Sequence, residues 1–100
     1  MIKNAKITGT KIGKGEYGVT VQLFVEFDAW EKSVGGIPLD RGKGFSVIEG
    51  ICEVVGVKDW EDLPGQYIRI KYEGRSCAIR EIGNLTEEMW IDLRDFTDEV

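Results

Sequence analysis

Histidine is missing from this 100-residue sequence. That absence removes imidazole as a general base, as an activator of a nucleophile and as a metal ligand. Cysteine is scarce: only Cys52 and Cys77 are present, and no Cys-x-x-Cys pair occurs, so ligand count excludes a structural zinc site. Both cysteines fall in apolar segments and read as free, buried thiols. Long apolar runs are lacking too. The longest stretch without a charge, residues 17–25, has nine residues, and a membrane-crossing helix needs about 20. Met1 is followed by Ile2-Lys3-Asn4-Ala5-Lys6 with no apolar leader, so the expectation is a cytoplasmic protein with no membrane partner.

The sequence does have the composition of a single folded domain: 42% hydrophobic and 31% charged residues. The expected domain spans residues 1–93, followed by an acidic tail over 94–100. The net charge of −5 is unevenly spread. Lys3, Lys6, Lys11 and Lys14 make the first fifteen residues basic. Glu87, Glu88, Asp92, Asp95, Asp98 and Glu99 face only Arg94 after residue 84. This acidic end repels nucleic acid, so no direct nucleic-acid partner is expected. Two readings of it stay open: a solvated terminus that aids solubility, or an acidic surface in which Asp92 and Asp95 enter a basic groove on a protein partner.

Residues 2–12 read as a first strand, with Gly13-Lys14-Gly15-Glu16 as a turn. The clearest pattern lies in residues 17–27, where Tyr17, Val19, Val21, Leu23, Val25 and Phe27 alternate with mostly polar residues. Period two over that length predicts a strand with one buried face. Residues 28–43 read as a long irregular stretch in which residues 34–39 could add a short edge strand. Residues 45–55 predict a helix whose buried face is Phe45, Ile48, Ile51, Cys52 and Val55, with Gly50 marking close packing and Gly56 as its left-handed terminator. Asp59 is placed to cap a short turn, and Pro64-Gly65 reverses the chain. Residues 66–73 and 76–83 read as a hairpin about Gly74-Arg75, pairing Tyr72 with Cys77, Ile70 with Ile79 and Arg69 with Arg80. Residues 84–93 suit a helix start at Thr86 or a strand through Trp90. The fold class predicted is α+β: an antiparallel sheet of four to six strands with one main helix on one face, in the order ββαββ plus a C-terminal segment.

The search for chemistry yields no catalytic residue. Ser33, Ser46 and Ser76 lack a base to activate them, and the acid pairs Glu87/Glu88 and Asp59/Asp62 have nothing to shift their pKa. The expectation is therefore no enzyme, no cofactor and no metal. Gly36 and Gly42-Lys43-Gly44 do not have P-loop spacing, and Gly44 stands where a magnesium-binding hydroxyl would be needed. Arg41, Lys43 and the amides of Gly44, Phe45 and Ser46 at the helix start could hold an anion such as a nucleotide phosphate, or form an ordinary solvated loop. Arg69, Lys71 and Arg80 share one strand face. Two arginines opposed across a ladder need an anion between them, supplied by a ligand or internally by Glu87/Glu88 or the tail. Trp60 and Trp90 read as core residues. Trp30, with Glu31 and Lys32 beside it, is a candidate interface anchor or an indole folded over the sheet.

Certain segments also carry a resemblance: Met1-Ile2-Lys3-Asn4-Ala5-Lys6-Ile7 at the start, Gly35-Gly36-Ile37-Pro38-Leu39-Asp40, the stretch 54–70 (VVGVKDWEDLPGQYIRI), and Ile82-Gly83-Asn84 followed by Trp90. Together they resemble a group of small phage and prophage proteins, over most of the chain and most specifically in 54–70. The central loop is shorter than in that group and the tail after Trp90 differs. The resemblance carries over no catalytic residue. It implies an accessory protein acting in a host bacterial cytoplasm. By analogy with other small acidic phage proteins, it would bind a host protein such as a defence-system component. Two further readings stand beside it: a binder that sequesters a small nucleotide, and a structural protein that forms homo-oligomers through an uncovered sheet edge.

Overall fold

The computed structural model describes residues 1–16, 18–39, 44–74 and 76–96. Among these, six strands form one antiparallel sheet: β1 (Ile2–Gly15), β2 (Gly18–Phe27), β3 (Trp30–Pro38), β4 (Tyr67–Lys71), β5 (Glu81–Gly83) and β6 (Trp90–Asp92). Their spatial order is β3-β2-β1-β4-β5-β6. One α-helix, α1 (Gly44–Val55), connects β3 to β4, and 3-10 turns cover Trp60–Asp62 and Leu93–Phe96. The class is the antiparallel sheet with one helix that the sequence predicts, but the order is βββαβββ rather than ββαββ. The added strands are β3 before the helix and β6 after it. The acidic stretch from residue 94 begins inside the last 3-10 turn, and Asp98 and Glu99 lie outside the described residues. No α-helix among the described residues is long and apolar enough to cross a membrane.

The alternation in 17–27 builds β2 as expected: Val21, Leu23, Val25 and Phe27 are buried on one face. Tyr17 lies outside the described residues. The irregularity in β1 between Ile7 and Gly9 changes which residues face the core. Ala5 and Ile7 are buried before it, while Thr10 and Ile12 stand opposite Leu23 and Val21 after it. The irregular stretch expected over 28–43 is largely strand, because Asp28 and Ala29 make a two-residue turn and β3 pairs with β2 from Trp30 onward. Asp40, Arg41, Gly42 and Lys43 lie outside the described residues.

The helix forms where its periodicity predicts, but rotated. Its core face is Val47, Ile51 and Val54, with Cys52 beside them, whereas Phe45 is 73% exposed and Ile48 and Val55 are half-buried. Gly50 sets this rotation. A Cβ there would sit 2.7 Å from Ile91 Cδ1, so the missing side chain lets the helix rest on β6. Gly56 ends the helix at φ 93°, and its N–H donates to the Cys52 carbonyl. Asp59 precedes the Trp60–Asp62 turn without capping it through its side chain.

The second hairpin has a different register from the one expected. Ile70 pairs with Ile82 and Arg69 with Gly83, so residues 72–80 become a connection, and Arg75 lies outside the described residues. The predicted register would have opposed Arg69 to Arg80, two like charges. The observed one buries Ile82 between Ile70 and Ile91 and sets Gly83 opposite Trp90. Cys77, in the connection, is therefore exposed rather than buried, and only Cys52 is the buried thiol. Trp90 is not core either. It lies half-buried across Gly83 on the face away from α1, and Trp60 is likewise half-buried.

A Cβ at Gly83 would meet three ring atoms of Trp90 at 2.6–2.7 Å. An indole is too rigid to give way locally. Gly83→Ala is therefore expected to destabilise the fold by roughly 1–3 kcal/mol, the range for overpacking, as a lowered urea midpoint with an unchanged m-value.

Candidate functional site

The site is built at the end of β2 and β3. Asp28 and Ala29 adopt φ 51° and 64°, both central positions of the turn lying in the left-handed region, as a type I′ hairpin requires. The turn sets Trp30 directly opposite Phe27, so both rings fall on the core side of the sheet. Tyr72, just past β4, closes the third side. Its ring meets Phe27 edge-on, with centroids 5.2 Å apart at 67°. Phe27, Trp30, Lys32 and Tyr72 line a hollow of about 130 Å³ bordered by Glu31. Phe27 is buried, while Trp30 remains 46% exposed.

Charged side chains frame this hollow, and each has a partner within the molecule. Lys3 Nζ bonds to Asp28 and lies 5.6 Å from the Tyr72 ring centroid. Lys32 Nζ donates to the Cys77 carbonyl at 2.7 Å, fastening the 72–80 connection to β3. Strand alternation sends the Glu31 carboxylate to the other face, where the Thr8 hydroxyl donates to it at 3.0 Å. Trp30 and Lys32 therefore share one face, and the Glu31 carboxylate lies on the other.

The other predicted residues are dispersed. Arg41 and Lys43 lie outside the described residues, and Gly44 opens α1. Arg69 is satisfied within the molecule. Its Nε donates to the Asn84 carbonyl at 2.7 Å and its Nη2 to the Glu87 carbonyl at 2.8 Å. Glu88 completes the set at 3.4 Å, and the guanidinium lies 5.0 Å from the Trp90 centroid. Arg80 is not opposite Arg69. It lies exposed on a groove of about 240 Å³ with Lys71, Arg94, Glu73 and Glu81. Lys71 pairs with Glu81 at 3.0 Å, so cations and acids interleave there. Asp92, at the end of β6, accepts from Arg94 Nε at 2.9 Å and Nη2 at 2.8 Å. The Arg94 hydrogen bonds hold the Asp92 carboxyl below its ordinary 3.8. Asp95 is exposed in the final 3-10 turn. Asp92 and Asp95 thus differ: one is engaged internally, the other faces solvent.

Sequence reasoning identified Trp30 but missed Phe27, Asp28, Ala29 and Tyr72 as its surroundings. Asp-Ala lacks the glycine that marks a two-residue turn, so the hairpin went unseen. No group of three or more metal-ligating side chains is gathered among the described residues. No protein-family model, curated protein or solved structure matches this chain.

Two outcomes follow from this geometry. A left-handed Ala carries roughly 1–2 kcal/mol of steric cost that glycine escapes, partly offset by glycine's greater unfolded-state freedom. Ala29→Gly is thus expected to stabilise the fold by up to about 1 kcal/mol in urea denaturation. The Asp92 carboxyl should titrate by ¹³C NMR below 3.8, and Arg94→Ala should return it upward. Because the folded-state value is the lowered one, the stability from this pair is fully present above the unfolded value. It is lost as pH falls through the folded value.

Proposed function

We propose that this chain is a non-enzymatic phage or prophage accessory protein that binds a host bacterial protein, a defence-system component being the class of target, through the Trp30 end of its sheet. The observation that carries this reading is Trp30 itself. Its indole is 46% exposed, and it is held by a two-residue turn beside a hollow walled by Phe27 and Tyr72. Tryptophan is among the side chains that most often dominate binding energy, and a rigid presentation lowers the entropy lost on docking. The framing charges are of both signs and engaged within the molecule, Lys3 by Asp28 and Lys32 by the Cys77 carbonyl, which suits a protein surface better than a phosphate. The phage origin and the bacterial host rest on the resemblance of the N-terminal, 35–40, 54–70 and 82–90 segments.

The test is an affinity capture of the tagged chain from bacterial lysate, with mass spectrometry of proteins and small molecules, repeated with Trp30→Ala. A stoichiometric host protein is expected with the native chain. Trp30→Ala should weaken its capture by about tenfold or more, as loss of a hot-spot residue does, while its amide spectrum shows the variant still folded. Undiminished capture would remove the Trp30 end from the proposal. A co-eluting nucleotide without a protein would replace the proposal with the sequestration reading.

A further inference from the structure

We infer that the groove between α1 and the segment 57–60 is a second docking surface, shaped for a basic amphipathic helix of a partner protein. The apolar surface of the helix is wider than its core face. Val47, Ile51 and Val54 about Gly50, with Cys52 beside them, are spent on the core. Phe45 and the half-buried Ile48, with Cys52 at the base, form one wall of a groove of about 480 Å³. Val57 and Trp60 form the opposite wall. Phe45, 73% exposed, stands at one end of this stripe. An amphipathic surface helix normally turns charge, not a phenylalanine, away from its core.

Charge complementarity names the occupant. Glu49 and Glu53 border the groove on α1 and Asp59 on the far side, while Lys58 is the one cation among the lining residues. Glu61 and Asp62 are exposed immediately beyond. Their field reaches the groove floor: the Cys52 thiol is pushed up by burial, and then by the charges of Asp59, Glu61 and Asp62. An apolar floor with an acidic border excludes a phosphate or a nucleic acid and favours apolar anchors flanked by Lys or Arg. From Phe45 to Glu53 the wall rises about 12 Å at 1.5 Å per residue, enough for two turns of a docked helix. A second copy supplies no such helix: α1, the one α-helix among the described residues, contains no lysine or arginine.

This surface shares no lining residue with the Trp30 hollow, so the two stand or fall separately. The experiment uses the ¹⁵N-labelled full chain, titrated with a short designed helix bearing leucines on one face and lysines on the other. A twin with every lysine replaced by glutamate serves as the control. The expected result is amide shifts concentrated in residues 45–60 for the lysine peptide and none for its twin. Phe45→Ser should weaken binding about tenfold or more, and Glu49→Lys with Glu53→Lys should abolish it. Trp30→Ala should leave it unchanged. All substituted positions in the groove are exposed, and spectra unchanged outside 45–60 will certify the fold. Shifts scattered over other acidic surfaces, equal binding of both peptides, or indifference to Phe45→Ser would overturn the inference.

Discussion

The ladder between β1 and β4 holds this molecule together. Ile2 through Lys6 pair with Lys71 through Tyr67, and the contact continues past the strand ends. Tyr72 N–H donates to the Met1 carbonyl, Ile7 N–H to Gln66 and Gly65 N–H to Ile7. On one side of this seam lies the meander β1-β2-β3, on the other the meander β4-β5-β6. Neither three-stranded half has a closed core alone. Ala5, Ile7, Ile68 and Ile70 line the seam and are among the most buried residues of the chain. The position of α1 follows from it. After β3, at one edge of the sheet, the chain must return to the middle to pair β4 with β1, and the helix makes that return across one face.

The two faces of the seam diverge in chemistry. On the helix side the sheet is aliphatic except at the Trp30 end, where Phe27, Trp30 and Tyr72 gather. On the other side, cations lie against aromatic rings: Lys6 on Tyr67, and Arg69 and Lys71 on Trp90. Trp90 is admitted by Gly83 and flanked by two cations that the neighbouring carboxylates and carbonyls satisfy. Asn84 links this arrangement to the helix. Its Nδ2 donates to the Val54 carbonyl at 2.8 Å, and its Oδ1 accepts from the amides of Thr86 and Glu87. The C-terminus of α1, the turn after β5 and the Arg69 guanidinium are thereby held by one residue.

Legibility in the sequence followed the strength of local signals. The alternation in β2 predicts a strand and the buried face from Val21 to Phe27, while Val19, expected on that face, is exposed, and Gly56 and Gly65 mark their turns with positive φ as their positions suggested. Elsewhere two signals competed. In α1, Phe45 and Ile48 are as apolar as Val47 and Val54, so periodicity permits either face to be buried, and only the contact of Gly50 with Ile91 decides. The β4-β5 register was misread because Gly74-Arg75 imitates a two-residue turn, whereas the partner of Ile70 is fixed by Ile91 on the next strand. Trp30 was legible as a candidate anchor, but its neighbours in the hollow were not. Phe27 reaches it through a turn without glycine, and Tyr72 comes from the far half of the chain. The groove on α1 was hidden for the same reason as the helix rotation, since Phe45 looked like core.

The seam also sets the order of events during synthesis. The meander β1-β2-β3 is complete by residue 38, yet the second edge of β1 has no partner until the chain has reached residue 71. For that interval the nascent chain presents a strand edge beside the apolar side chains of Ala5 and Ile7, the kind of surface that pairs with foreign strands. Closing it requires contacts of large sequence separation, which are slow to form. The basic residues of β1, Lys3 and Lys6, stand along that temporary edge. Lysine along an edge is a side chain that disfavours pairing with a foreign strand, at the one stage when the C-terminal half of the chain does not yet exist.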